Sequence, residues 1–318
     1  MPDIQITTNY ERAVEVAKAA IGMLERKTPP FNKENLFPDA DIPDGVPKEF
    51  FLFYGCSLDS MRRADEVYKV LRALARKTDI SRLHEAKKQV LERVLEAHFG
   101  EGVEEAVGSP LRTLIENSRQ LEKYGGNPVN LKTGTVEETI ARISEFYQFG
   151  RQKAALFMKN MVRFGFWDFP ETEIPIKVDR HVIRISLGTG VVDDYSAAVI
   201  KNPGELEGKH LNEGVELLIA QGFFTREDYE AGRIEVVRAE KFQEPLSEEF
   251  RRVTSRNSLS SIKLDDALWA IGANGCAFPS YCMRFCSIEC KRRPASDNSA
   301  TYFFPGIDKR KKAGYLFF

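Results

Sequence analysis

The sequence predicts an all-α protein of two domains. Apolar residues recur at three- and four-residue spacing along nearly the whole chain, and capping signals precede several of those stripes. The length, 318 residues, exceeds one ordinary small core and leaves room for a second. Charged residues nearly cancel, to a formal net charge of −1, so no global field favours a polyanionic partner and any nucleic-acid surface must be local. The first residues, MPDIQITTNYERAV, lack the basic and then apolar segments of a signal peptide, and no apolar run is long enough to cross a bilayer. A soluble cytoplasmic protein is expected.

The first predicted helix opens on Thr8 and Glu11 as a capping box, ahead of Val14, Ala17, Ile21 and Leu24. Residues 29–47 hold five prolines and read as a connector, which the phrase EFFLFYGCSLDS follows. From Ser60 the stripe Met61, Ala64, Val67, Leu71 predicts an amphipathic helix, and Ile80 to Phe99 predicts another, ended by Gly100. Thr135 and Glu138 cap a helix that buries Ile140, Ile143 and Tyr147; Gly150 breaks it, and a new stripe begins at Ala154, Phe157, Met158 and Met161. That is helix, tight turn, helix. After the looped stretch GFWDFPETEIPIKVD, an apolar pattern resumes at HVIRISLG, with Asp179 just ahead of it. An aspartate there reads as a helix N-cap, and a carboxylate at a helix start can also face a cleft. The last clear helix spans Leu264 to Ile271.

Four of the five cysteines, Cys276, Cys282, Cys286 and Cys290, lie within fifteen residues in the spacing C-x5-C-x3-C-x3-C, a crowding that reads as metal binding in a reducing compartment. Four thiolates suit either a [4Fe–4S] cluster or zinc. Cys56, in an apolar stretch, reads as a buried inert thiol. His84, His98 and His210 are isolated and read as packing or surface residues. From Cys282 to Phe318 there are eight Lys or Arg against three Asp or Glu, interleaved with Tyr302, Phe303, Phe304, Tyr315 and Phe317. Such a tail can track phosphates and stack on bases, or fold its aromatics onto the protein's own surface.

The order FYQFGRQKAALFMKN, then IPIKVDRHVIRI, then WAIGANGC with three more cysteines resembles the helix-hairpin-helix superfamily of DNA glycosylases, and within it endonuclease III and its iron-sulfur relatives. The resemblance spans about Phe50 to Cys290. It implies a two-domain helical fold with a DNA cleft between a helical barrel, residues 49–186, and a second domain made of residues 1–48 and 187–318. It also implies that Cys276, Cys282, Cys286 and Cys290 hold a [4Fe–4S] cluster, although relatives of endonuclease III use the spacing C-x6-C-x2-C-x5-C. Gln148 stands where the family's hairpin has its first glycine.

The chemistry implied is cleavage of an N-glycosidic bond in duplex DNA carrying a damaged or mispaired base, by a monomer with no membrane partner. Cleavage gives the sugar oxocarbenium character, which a carboxylate stabilises while it orients or deprotonates water, and Asp179 is the residue for that task. Phe149, Gly150 and Arg151 stand where the family's hairpin grips phosphates, holding a strand from which the base has been flipped. His181 supports the aspartate loop. In strand-cleaving members a Schiff-base lysine lies two residues after the last hairpin glycine; counted from Gly150, that position is Gln152, with Lys153 one residue on. One residue rotates a helical side chain by about 100°. A monofunctional glycosylase is therefore expected, with a lyase using Lys153, a catalytically silent DNA binder, and a nucleoside hydrolase as the alternatives.

Overall fold

The structure, a computed structural model, describes residues 6–32, 42, 45–59, 64–100, 109–199, 219, 225–231, 234–274, 276, 284–291 and 301–303. It is mostly helical, and its contacts divide the chain into two units: residues 34–174, and residues 1–33 with 175–318. The division falls one helix earlier than the expected boundary at 186, because the helix after Asp179 packs with the C-terminal part of the chain.

The contiguous unit is built around a buried helix. After the first helix of the chain, α1 (Tyr10–Glu25), α2 (Lys48–Leu58) carries the phrase EFFLFYGCSL, and every residue from Phe50 to Leu58 is buried. A helix apolar on all sides needs cover on all sides. α3 (Ala64–Ala75), α5 (Pro110–Glu122) and α7 (Arg151–Arg163) provide it, with α4 (Lys88–Phe99) against α3 and α5, and α6 (Val136–Ser144) against α7. Phe53 of α2 stacks on Phe149 and meets Phe146 and Phe157 edge-on, which ties α2 to the turn between α6 and α7. Trp167 donates to the Val129 carbonyl at 3.0 Å and packs edge-on against Phe157.

The single helix expected over Ile80 to Phe99 is two elements. A 3-10 segment covers Ile80–Glu85, the chain is extended at Ala86, and α4 starts at Lys88. Asp79 accepts from the Ser81 amide at 2.9 Å, a local bond that competes with α-helix formation, and His84 anchors the segment on Ser118 of α5 through both its amide and its ring. Gly100, at φ +78, ends α4 as expected. Of the stripe from Ser60, residues 60–63 lie outside the described part.

In the other unit α1 packs against α10 (Glu240–Arg256) and α11 (Ser261–Asn274), and α8 (Arg180–Thr189) packs against α11; the short α9 (Arg226–Glu230) lies between α8 and α10 in sequence. The cap of α1 is Asn9, whose side chain accepts from the Arg12 amide at 3.0 Å, rather than the Thr8 and Glu11 box. Thr8 is instead in the strand β1 (Thr7–Thr8), antiparallel to β2 (Val192–Asp194), with its hydroxyl donated to Glu249. A second two-stranded pair joins β3 (Ile234–Val236) in parallel to β4 (Thr301–Phe303). α11 extends the expected Leu264 to Ile271 stripe by about a turn. Among the described residues, no helix is long and apolar enough to cross a membrane.

Candidate functional site: hairpin, carboxylate and cysteine loop

The hairpin begins where Thr135 caps α6, accepting from the Glu138 amide at 3.2 Å as the sequence predicts. After α6 the chain reverses through Gln148, whose φ is +62, in the left-handed region that favours glycine. Gly150, which the sequence marks as the breaker, is extended at φ −119 and ψ 178 and serves as the N-cap of α7. Gly150 brings no capping side chain of its own to this helix start, and a Cβ on it would meet nothing within 4 Å. The approach is open to an anion.

The residues expected to grip phosphate divide into two kinds. Phe149 is turned inward, 6% exposed within the aromatic cluster, and its amide donates to the Phe146 carbonyl at 3.0 Å, so it shapes the turn from inside. Gly150 and Arg151 are exposed, and Arg151 pairs with Glu137 of α6 at 2.8 Å. An exposed ion pair of this kind contributes little, and a phosphate can compete for the guanidinium. Lys153 has a different partner: its ammonium donates to the Ser57 carbonyl at 2.8 Å, in the last turn of α2. The carbonyls there point away from the helix, so a cation is favoured. Gln152 is half-buried on the first turn of α7.

α5 holds the turn in place, a role that no spacing in the sequence announced. Asn117 donates to the Tyr147 carbonyl at 3.0 Å, Gln120 to the Glu145 carbonyl at 3.1 Å, and the Arg112 guanidinium covers the Tyr147 ring at 5.1 Å. Of the aromatics near the turn, Phe146 and Trp167 belong to the core, while Tyr147 and Phe166 are half-buried.

In the other unit Asp179 is the N-cap of α8. Its Oδ1 accepts from the amides of His181 at 2.8 Å and Val182 at 3.2 Å. Oδ2 makes no hydrogen bond among the described residues. The helix start thus fixes the carboxylate through one oxygen and leaves the second for another group. The stretch before it alternates, with Ile176 and Val178 buried and Lys177 half-buried, as an extended chain lying on a core does. His181 packs its backbone and Cβ against Gly272 of α11, where an added Cβ would come within 2.7 Å, and its ring meets Trp269 edge-on. Burial lowers the His181 pKa to about 4, against the raising influence of Asp179, and its Nδ1 is buried with no hydrogen-bond partner among the described residues. Arg184, fully buried, donates to the Gly272 carbonyl at 3.0 Å, and its burial lowers its pKa.

The cysteine loop leaves the end of α11, with the Cys276 amide donating to the Ile271 carbonyl at 2.8 Å. At its far end, Arg12 of α1 donates to the Thr189 carbonyl at 2.8 Å and to the Glu289 carbonyl, joining the end of α8 to the residue before Cys290. The Lys291 stem fills the space above Gly190, where a Cβ would lie 2.6 Å from it. Cys276, Cys286 and Cys290 are half-buried and not disulfide-bonded; Cys282 lies outside the described residues. Among the described residues no three His, Cys, Asp or Glu side chains stand together to hold a metal ion. Cys56 is buried against Asn160 of α7, and most of the basic aromatic tail, with His210, lies outside the described residues. No known protein family, curated protein or solved structure matches the chain.

Proposed function

We propose that this chain is a DNA glycosylase that hydrolyses the N-glycosidic bond of a damaged or mispaired base and leaves the strand intact. The placement of Asp179 carries the reading. One oxygen is held by two helix-start amides and the other makes no bond among the described residues, which suits a carboxylate meant to face developing positive charge on a sugar or to orient a water. A carboxylate needed only as a cap is served by one oxygen.

The hairpin supports a nucleic-acid partner through the start of α7 at the exposed Gly150, which has no side chain to cover it, and through the exposed Arg151. Lys153 supports hydrolysis over strand cleavage. A Schiff-base lysine must bring its amine to the sugar, whereas this ammonium is bonded to the end of α2, and Gln152 occupies the position two residues after Gly150. Cys276, Cys282, Cys286 and Cys290 have the donor chemistry for a [4Fe–4S] cluster, with zinc as the second choice. Such a centre would cross-link the loop that Arg12 and Lys291 already dock.

The test is a panel of duplexes, each with one lesion or mismatch, assayed for released base beside free nucleosides. Base release from at least one duplex is expected, with none from free nucleosides. Asp179→Asn keeps a good capping side chain. It is expected to lower release by on the order of 10²-fold or more while duplex binding stays nearly intact, because the carboxylate acts on the transition state. Equal loss of binding and release would make Asp179 a cap alone. Borohydride trapping is expected to give no covalent adduct, and an adduct lost in Lys153→Ala would establish the lyase instead.

A further inference from the structure

We infer that Asp265 is a positioning residue for Asp179, an inference that rests on the glycosylase reading for its catalytic consequence. Asp265 lies on α11 and is 3% exposed, yet its Oδ1 accepts from a backbone amide, that of Lys177, at 2.8 Å. A buried carboxylate is costly to desolvate, and pairing it with a backbone amide fixes the path of the chain at that point. The Lys177 carbonyl in turn accepts from the Asp179 amide at 3.1 Å. A short chain of bonds therefore runs from Asp265 through Lys177 to the residue proposed to do the chemistry.

The same face of α11 holds the other side of Asp179. Asp265, Trp269 and Gly272 are spaced by four and three residues and so share one stripe of the helix. Asp265 takes Lys177, Trp269 meets the His181 ring, and Gly272 admits the His181 backbone. Asp179 lies midway between Lys177 and His181 in sequence. Its backbone is thus clamped two residues before and two residues after by one rigid element, and its side chain is oriented by the His181 and Val182 amides. Gly272 provides the close approach and Asp265 the hydrogen bond. Removing the bond weakens the clamp on the Lys177 side.

Two variants separate positioning from bulk stability. Asp265→Asn keeps a side-chain oxygen for the Lys177 amide, and Asp265→Leu removes it at similar volume. Single-turnover base release is expected to fall by on the order of 10²-fold in Asp265→Leu, the scale of a small misplacement at a reacting centre, with duplex affinity little changed. Asp265→Asn is expected to recover most of the rate. Amide hydrogen exchange at Lys177 and Asp179 gives a readout independent of activity: protection is lost in Asp265→Leu and kept in Asp265→Asn. Unchanged release and exchange in Asp265→Leu, or a parallel loss of release and binding, would overturn the inference. If the wild-type protein releases no base from any duplex, the glycosylase reading fails, and with it the catalytic part of this inference; the exchange measurement still decides whether Asp265 holds the segment.

Discussion

Gln148 adopts a backbone conformation that costs a side-chain-bearing residue roughly 1 kcal/mol or more. Because it is exposed, substitutions there report backbone strain with little interference from packing. Gln148→Val is expected to lower stability by about 1–2 kcal/mol in urea unfolding, and Gln148→Gly to hold or raise it. Gly150→Ala separates folding from binding: φ −119 suits any residue and the new Cβ meets nothing, so stability is expected to stay within about 1 kcal/mol while duplex affinity falls. The sequence placed the break at Gly150, whereas the left-handed residue is Gln148, because glutamine carries no signature of that region. His181 gives a pH dependence. With its folded pKa lowered to about 4 from 6.5, its neutral form contributes stability above pH 6.5 that is lost as pH falls towards 4. The loss is no more than about 3 kcal/mol. The difference in unfolding free energy between wild type and His181→Phe is expected to shrink over that window; a pH-independent difference would place the ring in contact with water.

At the scale of elements, the cation on the end of α2 has a measurable role. Lys153→Met removes the bond to Ser57 while keeping most of the stem, and about 1–2 kcal/mol of stability is expected to go with it. Base release at a temperature well below unfolding is expected to persist, whereas a nucleophile would lose it. The helices themselves were largely legible, since Thr135, Gly100 and the stripes after Gly150 are local signals. Errors fell where a side chain found a better local partner. Asp79 bonding Ser81 shortened the helix predicted from Ile80, and Asn9 took the cap from Thr8 once Thr8 joined a strand with residues nearly two hundred positions away. The clasp of α5 on the hairpin turn was invisible for the same reason. Asn117 and Gln120 are ordinary helix residues until the carbonyls of Tyr147 and Glu145 are brought to them.

For the whole molecule, Asp179, the hairpin and the cysteines were each picked out from short motifs, but their supports, Asp265, Gly272 and Arg12, lie far away in the chain and carry no periodic mark. The expected grouping of residues 1–48 with 187–318 came from the family resemblance rather than from any pattern in α1; the structure groups residues 1–33 with 175–318. That grouping bears on the order of events during synthesis. Residues 34–174 can fold as soon as they leave the ribosome, because every partner of α2 is already made. α1 is made before residues 34–174, yet it packs on α8, α10 and α11, which follow them, so Val16, Ile21 and Met23 are left without that cover meanwhile. A fragment ending at Ile174 is therefore expected to be cut by protease within α1 and to aggregate, while a fragment of residues 34–174 stays soluble and protected. The helix that precedes the contiguous unit thus finds its place only after that unit has been made.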